Sequence, residues 1–175
     1  MRINRLRSFA IVAMLFPLVV ACSRSVDVDS ASGLTASASL PAMIVHKSES
    51  CSCCEAWVTH VRLAGFPVEV RNEANLNPIK ERLGVPAGKG SCHTAEIDGY
   101  VIEGHVPVAD IQKLLRERPD ARGLVVAGMP VGSPGMEAPD GSADAFAVEL
   151  VARDGSTRPY SQYPAKPPAG DASSQ

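Results

Sequence analysis

The chain has 175 residues, a net charge of −2 and an aromatic content of only 5%. This length suffices for one domain with its own hydrophobic core. Because the sequence has neither a basic surplus nor interleaved aromatic residues, we expect no nucleic-acid partner.

The first 21 residues predict an export signal. Three arginines within the first seven residues precede an apolar run at 8–21 that is too short for a permanent membrane span. The end of this run, Leu-Val-Val-Ala-Cys22, resembles a bacterial lipobox, in which the cysteine is acylated. We therefore expect a periplasmic protein with a lipid anchor at Cys22, and cleavage without acylation is the alternative. By resemblance to lipoproteins of two-membrane bacteria, Ser23 favours the outer membrane.

Composition divides the remaining chain into three parts. Residues 22–40 are small and polar and predict a flexible tether, whereas 164–175 are rich in Pro, Ala, Gly and Ser and predict a disordered tail. Residues 41–163 are expected to form one folded domain. Without the three arginines of the signal, 14 basic residues face 19 acidic ones, a net charge of −5. An acidic surface of this kind is compatible with attracting cations and equally with plain solubility.

Hydrophobic spacing predicts a strand, a helix and a second strand at the start of the domain. The first strand covers 42–46, and the apolar residues of 54–65 recur at helical spacing up to Gly65. Residues 66–70 then alternate as a half-buried strand does.

The middle of the domain predicts a short helix, a hairpin and a third helix. Pro78 and Gly84 mark the beginning and the end of the short helix. The dipeptide Asp98-Gly99 joins strands at 94–97 and 100–103, and the third helix covers 107–118. A long irregular stretch at 123–141 and a last strand at 145–151 follow.

This order of elements predicts an α/β fold of the thioredoxin-like class, with a mixed sheet and flanking helices. In that architecture the cysteines lie at the amino end of the first helix, where free N–H groups and the helix dipole stabilise thiolates. The loop that carries Cys92 lies opposite them. A fourth sulfur is therefore expected to face the other three.

Four cysteines, Cys51, Cys53, Cys54 and Cys92, are the candidate metal ligands. Their thiolates suit Cu(I), Zn(II) or an iron–sulfur cluster. The C-x-C-C spacing matches neither common structural zinc sites nor ferredoxins. Because close-packed thiolates can bridge metal ions, the spacing favours several Cu(I) ions. Pairing all four cysteines in disulfides is geometrically awkward, and a structural disulfide with a buried thiol is the alternative.

Three further residues are candidates for an additional ligand or a supporting role. His93 adjoins Cys92, but neighbouring strand residues point to opposite faces, so both bind one ion only if the backbone is irregular there. Met129 and Met136 lie in the long Gly/Pro-rich loop. Their thioethers are ligands that select Cu(I), and the alternative is that the two side chains hold the loop on the sheet by hydrophobic packing. We assign His105 to capping or orienting the third helix, and metal ligation is the alternative.

Four segments together resemble the CopG family of periplasmic copper-resistance proteins, long catalogued as a domain of unknown function. These segments are Cys51-Ser52-Cys53-Cys54, Ser91-Cys92-His93-Thr94, residues 98–107 and residues 128–137. The resemblance implies a thioredoxin-like domain that binds several copper ions through the four cysteines. It also implies copper redox chemistry during detoxification. A periplasmic copper-delivery or redox protein is the candidate partner.

Two other functions remain open at the level of the sequence. Cys51 and Cys54 are spaced as C-x-x-C, the pattern of a thiol–disulfide oxidoreductase. The second alternative to copper binding is a passive structural domain. The sequence also leaves open whether a copper-binding member would act as a copper oxidoreductase.

Overall fold

The structure, a computed structural model, describes residues 39–169. The predicted signal at 1–21, the predicted lipidation site Cys22 and nearly all of the predicted tether at 22–40 lie outside the described residues. Within 39–169, no helix has the length and apolar character that crossing a membrane requires.

The described chain contains seven strands and three helices. In chain order they are β1 (Met43–Lys47), α1 (Ser52–Leu63), β2 (Val68–Asn72), α2 (Asn77–Leu83), β3 (His93–Ile97), β4 (Tyr100–Glu103), α3 (Val108–Glu117), β5 (Gly123–Val125), β6 (Phe146–Val151) and β7 (Thr157–Tyr163).

All seven strands belong to one mixed sheet with the order β2-β1-β3-β4-β5-β6-β7. The β1–β2 and β4–β5 pairs are parallel, and the other neighbouring pairs are antiparallel. The β1-α1-β2 unit followed by the antiparallel β3–β4 hairpin is the arrangement that the sequence predicted. The α/β thioredoxin-like class is therefore confirmed.

One face of the sheet carries the hydrophobic core. A row of paired residues crosses five strands, namely Val45, Ala95, Ile102, Leu124 and Leu150, and every member is buried. Trp57 and Val61 of α1 and Leu114 of α3 belong to the same buried cluster. Burial of this apolar surface fixes the position of α1, and thereby of the cysteines at its start.

The opposite face holds a buried polar cluster beneath α2. Side chains alternate along a strand, so Thr94 and Glu103, paired in register, point away from the core. Glu103 is 1% exposed and accepts hydrogen bonds from Lys80 Nζ at 2.5 Å, Ser91 N at 2.6 Å and Thr94 Oγ1 at 2.6 Å. This carboxylate therefore anchors the backbone immediately before Cys92.

Two strands, β5 and β7, were not predicted from the sequence. The predicted irregular stretch at 123–141 begins with β5, which has only three residues and therefore too little alternation to detect. β7 follows the turn at Asp154-Gly155 and is an edge strand that contains Pro159, a residue that the middle of a sheet excludes. Both strands depend on pairing with β6.

The described fold also continues past the predicted start of the tail at residue 164. Lys166 and Ala143 exchange two backbone hydrogen bonds, of 2.8 and 2.9 Å. Ala169 N donates to Asp140 O at 2.8 Å. These bonds place residues 164–169 against the segment before β6.

Candidate metal centre

The cysteine motif begins in the loop between β1 and α1 and continues into the first turn of α1. Cys51 is the N-cap residue of α1, with an extended backbone (φ −78°, ψ 96°). Its Sγ accepts the backbone N–H of Cys54 at 3.3 Å. A sulfur thus takes the capping position that an oxygen usually occupies, at the positive end of the helix dipole.

A buried lysine holds the loop before this motif. Lys47 is 0% exposed and ends β1. Its Nζ donates to Ser48 O at 3.0 Å and to Glu49 O at 3.4 Å, and it lies 2.8 Å from Glu55 Oε1. The cation therefore ties the loop to the first turn of α1.

Cys51 and Cys54 are joined in a disulfide, with a Cα–Cα distance of 5.3 Å. The sequence predicted metal ligands at these cysteines, and that prediction stays a prediction for this pair, which the structure shows in its disulfide form. The physical reason is the N-cap geometry, which brings residues three apart onto one side of the first turn. Cys54 is 0% exposed, whereas Cys51 is partly exposed. Within residues 39–169, Cys53 and Cys92 are the free thiols.

The four cysteine sulfurs nevertheless form one group, and all of them lie within 4.8 Å of one another. Cys53 Sγ is 3.5 Å from Cys51 Sγ and 3.9 Å from Cys92 Sγ. Cys54 Sγ lies 3.6 Å from the carbonyl oxygen of Cys92. The structure thus brings the distal cysteine to the motif at the start of α1.

A second group, formed by Cys92, His93 and His105, adds imidazole nitrogens to the sulfurs. His105 Nε2 lies 3.0 Å from Cys92 Sγ, and its Nδ1–H donates to Pro134 O at 2.8 Å. Burial lowers the pKa of His105, which favours the neutral ring. With the proton on Nδ1, Nε2 is left as an electron-pair donor facing the sulfur.

His105 lies at the site, whereas the sequence predicted that it caps or orients the third helix; α3 has Pro107 as its N-cap and no side-chain cap hydrogen bond. The structure corrects that assignment, because the ring points at Cys92. The predicted hairpin contained the signal that could have found it. Its register pairs Thr94 with Glu103, and extending that register by two residues places Cys92 opposite His105.

His93 lies on the other side of Cys92, with Nδ1 3.4 Å from the sulfur. It is fully buried, and its ring centroid is 4.4 Å from that of Trp57. Burial first, and then the neighbouring charges of His105 and Lys80, lower the pKa of His93 to about 3, so the ring is neutral. Because β3 begins at His93, strand alternation does not extend to Cys92, and both side chains reach the same region. His93 Nε2 has no hydrogen-bond partner among the described residues.

Cys92 is a protonated thiol at neutral pH in the metal-free protein. Burial, and next the neighbouring Cys53, raise the pKa of Cys92 to about 11. A bound cation would reverse this effect, because a metal binds the thiolate and displaces the proton.

The loop at 128–137, which carries Met129 and Met136, is fastened over the site at three points. Gly135 (φ +86°) approaches α1 so closely that a Cβ would lie 2.6 Å from Cys53 O and 2.7 Å from Trp57 N. Pro134 O accepts from His105, and Gly128 O accepts from Ser91 Oγ. Met129 is 52% exposed, and Met136 is partly buried.

The donor set is chemically suited to a soft metal ion. It combines four sulfurs with two neutral imidazoles, and thiolate and imidazole ligands suit Cu(I) and Zn(II). Binding through all four sulfurs requires reduction of the Cys51–Cys54 disulfide.

Comparisons with known proteins agree with this geometry. The family model described as "Protein of unknown function, DUF411" matches residues 89–136, which include Cys92, His93, His105 and most of the loop over the site. A comparison with curated proteins finds no match.

Two solved structures, of "Copper resistance protein copG" in forms 1 and 2, are similar to the chain. Each is 49% identical in sequence and superimposes with a TM-score of 0.68. The matches cover 71% of this chain and 98% and 99% of the two solved chains. The protein therefore belongs to the CopG family.

Proposed function

We propose that this protein binds several Cu(I) ions through Cys51, Cys53, Cys54 and Cys92 and acts in copper resistance. One observation carries the proposal, namely the gathering of these four sulfurs within 4.8 Å of one another. The family membership supports a copper-related role, since both solved relatives are named copper resistance proteins.

The distances between the sulfurs favour more than one ion. Cys53 Sγ lies 3.5 Å from Cys51 Sγ and 3.9 Å from Cys92 Sγ, so it stands between the motif and the distal cysteine. A thiolate in that position can bridge two Cu(I) ions, each completed by a sulfur on either side. Cys53 is then the shared ligand of a multinuclear site.

His105 and His93 supplement the sulfurs at Cys92. His105 Nε2 is 3.0 Å from that sulfur, and the bond from Nδ1 to Pro134 fixes the ring orientation. An oriented imidazole can add a nitrogen ligand or stabilise the thiolate. Met129 and Met136 lie on the loop that covers the site and would tune the access of copper.

The cellular setting is also part of the proposal. A lipid anchor at Cys22 would hold the domain at the periplasmic side of a membrane, with the outer membrane favoured by Ser23. The Cys51–Cys54 disulfide is compatible with an oxidising compartment. A copper-delivery or redox protein of that compartment would be the partner.

The test is metal content per chain after anaerobic loading of the reduced full-length protein with Cu(I). We expect more than one tightly held copper ion per chain and a marked loss in Cys92→Ser. Ser52→Ala is the matched control, because Ser52 is exposed and lies within the same motif. A wild-type protein that retains no copper would refute the proposal.

A thiol–disulfide oxidoreductase is the second candidate, and the Cys51–Cys54 disulfide at the start of α1 is the observation that favours it. A Cys53→Ser variant separates the two functions. Disulfide exchange needs only the C-x-x-C pair and should survive the substitution, whereas a four-sulfur metal site should lose most of its affinity. The assays are reduction of a disulfide substrate and Cu(I) competition with a chelator.

A further inference from the structure

We propose that two copies of this chain associate through the outer edge of β2, in an antiparallel strand pair centred on Val70. The partner is a second copy of the same chain, and the two sheets become continuous across a twofold axis. Copper binding is not required for this contact, because β2 is an outer strand of the sheet and carries none of the candidate metal ligands.

The two outer strands of the described sheet, β2 and β7, differ in how open their edges are. β7 contains Pro159 and has a register shift against β6 between Val148 and Glu149. Proline and irregular pairing are two features by which proteins protect a sheet edge from another strand. β2, at Val68–Asn72, contains no proline and pairs with β1 in regular register. β2 therefore has the edge that is suited to pairing with a further strand.

The hydrogen bonds between β1 and β2 determine which backbone groups of β2 face outward. Met43 N donates to Pro67 O at 2.8 Å, and Glu73 N donates to Lys47 O at 2.8 Å. In a parallel pair, the N–H and C=O groups of alternate residues point to the same neighbour, so the odd-numbered residues of β2 face β1. The residues whose N–H and C=O groups face away from β1 are Val68, Val70 and Asn72.

These three residues form a self-complementary row. In an antiparallel pair centred on Val70, this residue lies opposite the partner's Val70, and Val68 lies opposite the partner's Asn72. Each of these positions is a hydrogen-bonded pair, because both residues direct their N–H and C=O groups at each other. One exposed contact must be released, since Arg62 Nη2 donates to Val68 O at 3.4 Å.

The charges of β2 are complementary in the same register. Glu69 lies opposite the partner's Arg71, and Arg71 lies opposite the partner's Glu69. These are the positions without backbone hydrogen bonds, where opposing side chains are closest. The Glu69 and Arg71 side chains are 60% and 46% exposed, so both are accessible to a partner. Exposed charges protect an edge from other strands, but here they match those of a second copy.

The valines of β2 add an apolar contact on the opposite side of the strand. Val68 and Val70 are partly buried and pack against the hydrophobic core. Across the twofold axis the two Val70 side chains would lie side by side, because residues opposite each other project to the same face of a sheet. Their contact would remove from water the apolar surface that a single copy leaves exposed.

The test is sedimentation equilibrium of the full-length, metal-free protein in the presence of a reductant, which prevents disulfides between chains. We expect the mass to rise with concentration from that of one chain, 18.4 kDa, towards twice that value. Val70→Pro should abolish the dimer, because it removes the central N–H donor from each copy. The folded chain should tolerate this change, since the Val70 N–H does not bond to β1 and an outer strand accepts proline at such a position.

Charge inversion tests the register without altering the backbone. Glu69→Arg and Arg71→Glu each place like charges opposite one another at two symmetric positions, so each should raise the dimer dissociation constant by about tenfold or more. The double variant, with Glu69→Arg and Arg71→Glu together, should restore the wild-type value. Arg158→Glu is the control, because Arg158 is exposed on β7 at the other edge of the sheet. It should leave the dissociation constant unchanged.

A wild-type protein that stays monomeric up to millimolar concentration would overturn the proposal. A dimer that persists in Val70→Pro, or whose dissociation constant the charge inversions leave unchanged, would also overturn it, because a different surface would then hold the copies together. The antiparallel register would be refuted if the double variant failed to restore association. Circular dichroism of each variant, compared with the wild type, verifies that lost association does not come from unfolding.

Discussion

The imidazole Nε2 of His105 lies 3.0 Å from the sulfur of Cys92, although the two residues are 13 positions apart in the chain. The β3–β4 hairpin brings them together, and Pro134 O holds the ring from its other nitrogen at 2.8 Å. This contact joins the sulfur group, the hairpin and the covering loop into one unit. The contribution of His105 to Cu(I) affinity can therefore be measured by removing its imidazole.

His105→Ala should weaken Cu(I) binding by about 10- to 100-fold, the range seen when a group that orients a metal ligand is removed. Competition with a Cu(I) chelator measures the effect. His60→Ala is the control, because His60 also contacts the covering loop, through Glu137 at 2.7 Å, but from an exposed position. Equal losses in the two variants would show that His105 acts only by holding the loop.

Cu(I) affinity should rise with pH across the neutral range. The pKa of Cys92 is raised to about 11, so below that value metal binding must displace a proton from this thiol. Each displaced proton changes the apparent affinity by about tenfold per pH unit. Chelator competition between about pH 6 and pH 8 tests this dependence. Cys92→Ser should flatten the slope, and a wild-type affinity that is independent of pH would contradict the prediction.

Gly135→Ala should loosen the loop over the site. The new Cβ would lie 2.6 Å from Cys53 O and 2.7 Å from Trp57 N, in a backbone with φ +86°. We expect faster loss of bound Cu(I) and a stability loss of roughly 1–3 kcal/mol. Gly128→Ala is the matched control in the same loop, since it has φ +70° and no atom within 4 Å of the added Cβ. Only the clash, and not the backbone strain, distinguishes the two variants.

Glu103→Gln should destabilise the domain by about 3–5 kcal/mol, because it leaves the Lys80 ammonium without its buried counter-charge. The Glu103 side chain is 2% exposed and lies 2.5 Å from Lys80 Nζ. Urea unfolding measures the free energy of unfolding. Asp120→Asn, which removes an exposed ion pair with Arg153, should change it by less than about 1 kcal/mol. A similar small change for Glu103→Gln would mean that water replaces the lost contact.

Much of the fold was predictable from local patterns. Apolar spacing indicated α1 and α3, and Asp98-Gly99 indicated the β3–β4 hairpin. These signals are local, since the residues that form the turn or the apolar stripe are neighbours in the chain. The sequence did not predict β5 and β7, because a three-residue strand and a polar edge strand form through their pairing with β6.

For the candidate site, the sequence by itself determined the donor chemistry, because three cysteines within four positions are neighbours in any fold. It also placed them at a helix start, where thiolates are stabilised. Only the tertiary structure decided which atoms meet. The β3–β4 hairpin brought Cys92 and His105 to the start of α1, with Cys53 Sγ 3.9 Å from Cys92 Sγ and His105 Nε2 3.0 Å from it. Such distances depend on how sheet, helix and loop pack, and no local pattern of residues contains that information.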